Sequence, residues 1–178
     1  MKHIILIGFK HVGKSAIGAE LAAQIGHKFV DLDEQIQEKF RIKHGMHKPC
    51  RKIMQDHGED FFRELESEAL QEVIKYQTSC LIALGGGTPL KTENRELIVD
   101  QQVVHVRAPK AIVFERIMLH GKPAFFTAEE DSFVCFNRLW NERIGVYTEL
   151  AGVEIENSGL IAEAVDKIKN ELLLMPVV

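Results

Sequence analysis

The chain has 178 residues, of which 46% are hydrophobic, which is enough to bury one substantial core within the usual size of a single domain. A net charge of −4 leaves no basic surface, so nucleic acids and anionic membranes are not expected partners. Three cysteines without paired spacing suit a reducing compartment, and we expect neither a targeting segment nor a membrane span. We therefore expect a soluble, cytoplasmic protein that acts as a monomer.

Short apolar runs alternate along the chain with longer segments of helical periodicity. Strands are predicted at Ile4–Ile7, Phe29–Val30, Leu81–Leu84, Val103–Val106 and Val153–Ile155. Helices are predicted at Ala16–Ile25, Glu59–Tyr76, Lys110–Met118, Asp131–Tyr147 and Leu160–Leu174. This order predicts a three-layer α/β/α fold with a central, mainly parallel sheet of about five strands, which binds ligands beyond the carboxyl ends of the strands.

Two segments lack clear apolar periodicity. Arg41–Lys52 is basic and rich in histidine, and His120–Asp131 contains a glycine, a proline and three acidic residues. Both are predicted to be mobile or irregular surface.

The first predicted strand runs directly into the sequence GFKHVGKS, from Gly8 to Ser15, and a predicted helix follows. All fixed positions of a Walker A phosphate loop are present between strand and helix, which is where this motif works. Its backbone N–H groups can cradle phosphate oxygens, Lys14 can reach the β- and γ-phosphates, and the Ser15 hydroxyl can bind Mg²⁺. The motif predicts binding of a nucleoside triphosphate, with contacts from Gly8, His11, Val12, Gly13, Lys14, Ser15 and Ala16.

Two aspartates follow the second predicted strand as Asp31-Leu32-Asp33. Residues two apart on an extended backbone point to the same side, so both carboxylates are expected to face a ligand at the edge of the sheet. One can hold Mg²⁺ through water, and the other can orient or deprotonate an attacking hydroxyl. The spacing fits equally well an aspartate that only caps a helix beginning near Glu34.

Arg63 lies one helical turn from both Glu59 and Glu66. A guanidinium in this position can bind a substrate carboxylate with two hydrogen bonds, while Glu66 holds it in place. By itself, the spacing favours a simpler interpretation, in which these residues form ion pairs on a surface helix.

Three consecutive glycines, Gly85-Gly86-Gly87, end the third predicted strand. They predict a close approach of the backbone to a ligand, with a flexible turn as the alternative. Two further cations, Arg143 and Lys122, can stabilise the charge of a transferring phosphoryl group, although each alone would be an ordinary surface residue.

In order along the chain, these motifs resemble those of the shikimate kinases, P-loop enzymes of the nucleoside-monophosphate-kinase-like group, and the resemblance covers nearly all 178 residues. It implies an enzyme that uses ATP and Mg²⁺ to phosphorylate the 3-hydroxyl of shikimate, in aromatic amino-acid biosynthesis. The motifs that carry it are Asp31-x-Asp33, Gly58-Glu59-x-x-Phe62-Arg63-x-x-Glu66, Gly85-Gly86-Gly87 and Glu142-Arg143-x-x-x-Tyr147.

The resemblance also implies a role for each matching residue. Asp33 would bind the ring hydroxyls and serve as the candidate base, and Asp31 would reach Mg²⁺ through water. Within a single domain, 1–178, residues 34–66 would include the substrate-binding subdomain and 119–131 the lid. The remaining roles are carboxylate binding by Arg63 and Arg143, the substrate floor by Gly85, Gly86 and Gly87, catalysis by Lys14 and Lys122, and adenine stacking by Arg116.

The chain departs from the family pattern at several positions. The family lid carries an arginine where this chain has Lys122, and the phosphate loop carries a glycine where it has His11. The interval from Asp33 to Arg63 is longer by roughly six residues, an insertion that surface loops tolerate. This interval and its surroundings contain His44, His47, Cys50 and His57, whose spacing matches no established zinc motif.

Three other functions are compatible with the motifs. The first is a P-loop kinase for a different small acceptor, such as a gluconate-like acid or a nucleotide. The second is a nucleotide-binding switch without metabolic turnover, which the absence of an Asn-Lys-x-Asp motif disfavours. The third is a degenerate relative that binds ligands but transfers phosphate poorly.

Overall fold

The computed structural model describes residues 2–120, 126, 130–157 and 159–174. Within these residues, five strands form one parallel sheet in the order β2-β3-β1-β4-β5. All five predicted strands are confirmed, as is the three-layer class. The strands are β1 (Ile4–Ile7), β2 (Lys28–Asp31), β3 (Cys80–Ala83), β4 (Gln102–Arg107) and β5 (Val153–Glu156).

Helices connect successive strands, as parallel pairing requires. All five predicted helices are confirmed within a few residues at their ends, and three further helices are present. The helices are α1 (Lys14–Ile25), α2 (Leu32–His44), α3 (Cys50–His57), α4 (Glu59–Ile74), α5 (Thr92–Ile98), α6 (Lys110–Leu119), α7 (Ser132–Leu150) and α8 (Ile161–Leu174), with a 3₁₀ turn at Thr88–Leu90.

The central strands are apolar because helices cover both faces of the sheet. Every residue of β1 and β3 is buried, whereas the edge strand β5 alternates buried and exposed residues. Continuous burial is typical of the middle of a parallel sheet. The rigid part of the molecule is therefore the centre of the sheet, from whose carboxyl ends the candidate site is built.

Helix α1 lies unusually close to the sheet at Gly18. A Cβ atom added there would lie 2.4 Å from a ring carbon of Phe29 and 3.0 Å from Leu81. Only a residue without a side chain allows this contact, which fixes the depth of α1 and therefore of the phosphate loop that precedes it.

The segment Arg41–Lys52 is more regular than predicted. Helix α2 continues to His44 and ends where Gly45 adopts a φ of 72° and donates its N–H to the carbonyl of Arg41. Helix α3 then begins at Cys50, so only residues 45–49 lie outside helices. The prediction of irregular surface was wrong for the rest, because a buried Phe40 and a buried Ile53 dock these short helices on α4.

The predicted irregular segment His120–Asp131 lies mostly outside the described residues, and Lys122 with it. Asp131 is described, and its carboxylate caps α7 by accepting hydrogen bonds from the N–H groups of Phe133 and Val134. No helix among the described residues is both long enough and apolar enough to cross a bilayer.

The contrast between Gly18 and Gly145 gives a test of this packing. Both glycines lie inside helices, but a Cβ atom at Gly145 would meet nothing within 4 Å. We expect Gly18→Ala to lower the free energy of unfolding by about 1–3 kcal/mol through overpacking. We expect Gly145→Ala to raise it by about 0.5–1 kcal/mol through helix propensity. Urea denaturation of both variants measures the difference, and equal effects would contradict the close approach of α1.

Candidate active site

A cavity of about 410 Å³ lies at the carboxyl edge of the sheet. Its walls come from the phosphate loop, the residues that follow β2 and β3, and helices α3, α4 and α7. Most of the residues predicted to bind ligands line it, although they are dispersed over more than 130 positions of sequence, from His11 to Arg143. Gly8, Val12 and Arg116 do not line it, and Lys122 lies outside the described residues. The carboxyl ends of neighbouring parallel strands account for this convergence.

The phosphate loop depends on two glycines with positive φ. Gly8 has a φ of 139° and Gly13, which precedes α1, has a φ of 101°. A Cβ atom at Gly8 would lie 2.1 Å from the carbonyl oxygen of Val106, and one at Gly13 would lie 2.5 Å from Nδ2 of Asn157. Side chains are excluded at both positions, so the loop presents backbone N–H groups at the N-terminus of α1, where an anion is stabilised.

Lys14 folds back across this loop. Its ammonium group donates hydrogen bonds to the carbonyl oxygens of Gly8, at 2.9 Å, and Phe9, at 2.8 Å. Burial lowers the pKa of Lys14 to about 8, although the carboxylates of Asp33 and Asp31 oppose this shift. The loop therefore holds a weakly hydrated positive charge beside its N–H groups.

His11 is the one non-glycine residue with positive φ in the described chain, at 63°. A conformation that favours glycine costs a histidine about 1–2 kcal/mol. The imidazole stacks on the ring of His120, with centroids 4.9 Å apart. Burial, followed by the charge of Lys10, lowers the pKa of His11 to about 4, so the ring is neutral at pH 7.

The predicted pair of aspartates occupies two different structural positions. The prediction of an extended backbone through Asp33 was wrong, because α2 begins at Leu32. Asp31 caps this helix by accepting the N–H of Asp33 at 3.0 Å, and its other oxygen accepts the Ser15 hydroxyl at 2.6 Å. Asp31 is thus a helix cap, as one interpretation of the sequence predicted, and it also lies beside the phosphate loop.

Asp33 lies on the first turn of α2 and faces the cavity. The residue is exposed at the cavity surface, but the surrounding protein partly desolvates its carboxylate. This partial burial, together with the nearby charges of Asp31 and Glu66, raises the pKa of Asp33 above its usual value. A carboxylate of raised pKa is a stronger proton acceptor.

Each glycine of the triplet makes room for a different polar side chain. A Cβ atom at Gly85 would lie 3.0 Å from Oε1 of Glu66 and 3.4 Å from Oδ1 of Asp33. One at Gly86 would lie 3.3 Å from an Nη of Arg143, and one at Gly87 would lie 2.5 Å from both terminal nitrogens of Arg63. The triplet is therefore the surface against which the acidic and basic groups of the cavity pack.

Arg63 is ion-paired along its own helix and also lines the cavity. It donates to Glu66 at 2.8 Å and, more weakly, to Glu59 at 3.4 Å. Glu66 is only 1% exposed, and its second oxygen accepts the Thr88 hydroxyl at 2.7 Å. The two interpretations of Arg63 are therefore compatible, since the ion pairs fix the guanidinium at the cavity wall.

Arg143 reaches the same wall from α7. Its guanidinium lies over the ring of Phe9, 5.1 Å from the centroid, and the residue is 5% exposed. One turn later, the hydroxyl of the buried Tyr147 donates to the carbonyl oxygen of Gly86. Burial raises the pKa of Tyr147 to about 12, so this hydroxyl keeps its proton. Helix α7 thereby fixes the glycine triplet as well as the arginine.

Two further elements contact the phosphate loop, α6 and the residue that follows β5. Arg116 donates to the carbonyl oxygen of His11 at 3.3 Å, and the buried Asn157 donates to that of Val12 at 2.8 Å. Arg116, the residue predicted to stack on adenine, is therefore adjacent to the loop.

Sequence analysis missed several residues that line the cavity. Phe62 belongs to one of the family motifs, but the sequence did not indicate that it lies on the cavity wall. Lys10 carries no signal beyond its place in the loop. Ala83 and Leu84 line it from the end of β3, and Cys50, Arg51 and Met54 lie on α3, which was not predicted.

Two histidines of the longer interval pack against aromatic rings. His44 stacks on Phe40 with centroids 4.3 Å apart, and His57 stacks on Phe61 at 4.8 Å. Among the residues that the structure describes, no group of three or more His, Cys, Asp or Glu side chains is arranged to hold a metal ion.

The fold and the cavity define a P-loop protein in which one cavity joins the phosphate loop to a region lined by acidic residues and arginines. The family model for shikimate kinase matches residues 10–173. The chain belongs to the shikimate kinase family.

Curated relatives agree with this assignment. A shikimate kinase of Thermodesulfovibrio yellowstonii is 33% identical over 174 residues, which cover 96% of this chain and 95% of the relative. The chain also matches a bifunctional shikimate kinase/3-dehydroquinate synthase of Thermotoga maritima at 28% identity, but it spans only 28% of the length of that protein.

Solved structures give the same result at the level of the fold. A shikimate kinase from Acinetobacter baumannii in complex with shikimate superposes with a TM-score of 0.84 and 27% identity, covering 97% of this chain and 93% of the other. A gluconokinase from Sinorhizobium meliloti 1021 superposes with a TM-score of 0.64 and 17% identity, over 97% of this chain and 91% of the other. At this identity, the gluconokinase is similar in fold alone.

The two glutamates that contact Arg63 provide a matched test of the cavity wall. Glu66 is buried and uses both oxygens, whereas the side chain of Glu59 is 69% exposed. We expect Glu66→Gln to lower the free energy of unfolding by about 1–3 kcal/mol, because a buried charge-assisted hydrogen bond is lost. Glu59→Gln should change it by less than about 0.5 kcal/mol. Chemical denaturation compares the two, and similar small losses would show that Glu66 does not organise the wall.

Proposed function

We propose that the protein is a shikimate kinase, which transfers the γ-phosphoryl group of ATP to the 3-hydroxyl of shikimate and releases ADP. The observation that carries the proposal is the position of the glycine triplet. It places Asp33, Arg63 and Arg143 around one pocket that opens onto the phosphate loop. A proton acceptor and two carboxylate-binding groups thus face a phosphate donor site, as transfer to a hydroxylated acid requires.

We propose that the donor half of the site consists of the phosphate loop and its neighbours. Backbone N–H groups of the loop and of the start of α1 bind the phosphates. The residues that contribute them are Gly8, His11, Val12, Gly13, Lys14, Ser15 and Ala16. Lys14 exchanges its loop carbonyl partners for phosphate oxygens and stabilises the charge that develops during transfer. Arg116 stacks on the adenine, which its contact with the His11 carbonyl supports.

The fit of Ser15 and Asp31 supports a Mg²⁺ site. A hydroxyl and a carboxylate 2.6 Å apart are hard oxygen donors of the kind that Mg²⁺ prefers. Ser15 would bind the ion directly and Asp31 through water. When bound, Mg²⁺ supplies charge neutralisation at the phosphates.

The acceptor half consists of the residues on and opposite the glycine triplet. Arg63 and Arg143 bind the carboxylate of shikimate, and Gly85, Gly86 and Gly87 form the floor below its ring. Residues 34–66 act as the acceptor-binding subdomain. The proposal also includes the predicted lid, residues 119–131, and its cation Lys122. Most of this segment, including Lys122, lies outside the described residues.

The proposed transfer uses Asp33 as the proton acceptor. The 3-hydroxyl oxygen forms a bond to the γ-phosphorus while the bond from that phosphorus to the bridging oxygen of ADP breaks. The hydroxyl proton passes to the carboxylate of Asp33, whose raised pKa suits this role. Lys14 remains protonated throughout and interacts with the phosphoryl oxygens.

The direct test is an ADP-release assay with MgATP, with and without shikimate, beside gluconate and nucleoside monophosphates as alternative acceptors. We expect ADP formation that depends on shikimate and falls by at least about a hundredfold in Asp33→Asn, since general-base groups contribute about 10²–10⁴-fold. Turnover with gluconate but not with shikimate would instead favour a kinase for another small acceptor. Tight nucleotide binding without turnover would favour a degenerate relative.

The pKa of Lys14 gives a pH prediction for the same assay. Since this pKa is about 8 in the free protein, Lys14 is charged below pH 8 and loses its charge as the pH rises further. We expect kcat/KM for MgATP to fall above about pH 8, by about tenfold per unit, because this ratio reports the free enzyme. Measurements from pH 6 to 9.5 test this, with circular dichroism at each pH as the folding control. A level profile up to pH 9.5 would contradict it.

We also propose that the protein is a cytoplasmic monomer. The three cysteines are free thiols, as expected in a reducing compartment.

A further inference from the structure

Helix α3 brings an additional arginine to the acceptor side of the cavity. Arg51 lies on its first turn and lines the cavity together with Cys50 and Met54. These three positions share one side of a helix, since residues three and four apart are neighbours there. The segment predicted to be irregular surface therefore forms a wall of the candidate active site.

This wall is fixed on its other sides. Ile53 is fully buried in the core, and Cys50 donates its thiol hydrogen to the carbonyl oxygen of Asp33 at 3.3 Å. Lys48, just before the helix, forms an ion pair with Asp56 at 2.6 Å. Helix α3 thus holds Arg51 in a defined place beside the first turn of α2, where the proposed base lies.

The guanidinium of Arg51 is not committed to a protein partner. Within the described part of the chain it has no hydrogen bond and no ion pair, whereas Arg63 is bound by Glu66 and Glu59. Of the acidic residues that line the cavity, Glu66 is engaged with Arg63 and Thr88, and Asp31 with Ser15. The third, Asp33, is the proposed base and forms no ion pair with Arg51 among the described residues. An exposed, unpaired arginine at the mouth of a pocket is available to an anionic ligand.

We propose that Arg51 is a specificity-determining residue, which binds the carboxylate of the acceptor beside Arg63 and so selects anionic acceptors. The inference rests on the proposed function and extends it. The acceptor carboxylate is the fitting partner because α3 borders the acceptor half of the cavity, while the phosphates are met by the loop and Lys14. Since Arg51 is exposed, it stabilises the bound substrate and the transition state alike, and its effect falls on KM rather than on kcat.

The test compares Arg51→Ala and Arg51→Lys with Lys52→Ala. Lys52 is the adjacent exposed cation of the same helix and does not line the cavity. We expect Arg51→Ala to raise KM for shikimate about tenfold, with kcat and KM for MgATP unchanged. Arg51→Lys should show a smaller rise, because lysine keeps the charge and loses the paired hydrogen bonds. Lys52→Ala should behave as the wild type.

The methyl ester of shikimate identifies the group that Arg51 contacts. It lacks the negative charge, so we expect wild type and Arg51→Ala to have the same KM for it. An unchanged KM for shikimate in Arg51→Ala would overturn the inference. So would an equal loss on acid and ester, since Arg51 would then act on the pocket and not on the carboxylate.

Calorimetric titration of shikimate separates this inference from the proposed function. If the wild type shows no turnover but binds shikimate about tenfold more tightly than Arg51→Ala, the proposed function fails and the inference stands. If turnover is normal and the two affinities are equal, only the inference fails. Absence of shikimate binding overturns both, and thermal unfolding of each variant confirms that it is folded.

Discussion

The parallel pairing of β3 between β1 and β2 is the constraint on which the site depends. Ala83 is in register with both Leu6 and Asp31, so the three strands end at nearly the same level. Three segments therefore begin at the same level of the sheet edge: the phosphate loop, the first turn of α2 and the glycine triplet. A shift of one residue in this register would turn alternate side chains to the other face and separate donor from acceptor groups.

At this edge of the sheet, the absence of side chains at the glycines matters as much as the presence of charged side chains. The glycine triplet leaves space that Glu66, Arg143 and Arg63 fill, and a Cβ atom at Gly87 would displace the guanidinium of Arg63. Hydrogen bonds then fix the walls, from Thr88 to Glu66 and from Tyr147 to the carbonyl of Gly86. Burial shifts the pKa of Lys14 down and that of Asp33 up, although the opposite charges of the two groups oppose both shifts. This pattern is typical of groups that carry out acid–base and phosphoryl chemistry.

Much of the fold could be predicted from the sequence because its signals are local. The five strands follow from short apolar runs, and α1 follows from its periodicity and from Gly26, which ends it with a φ of 71°. Helix α3 could not be predicted, because Ile53 is its only fully buried residue and no repeating apolar pattern marks its packing on α2 and α4. The extended backbone predicted through Asp33 failed for a related reason, since one aspartate, Asp31, both ends a strand and caps the next helix.

By itself, the sequence determined the phosphate loop and the family, because the loop is eight contiguous residues and the other motifs are short and ordered. Only the tertiary structure decided which groups meet. It placed the glycine triplet against Asp33, Arg63 and Arg143, stacked His11 on His120, and turned Arg51 toward the cavity. These contacts join residues far apart in the chain, and their geometry depends on strand register and helix depth, which no local pattern encodes.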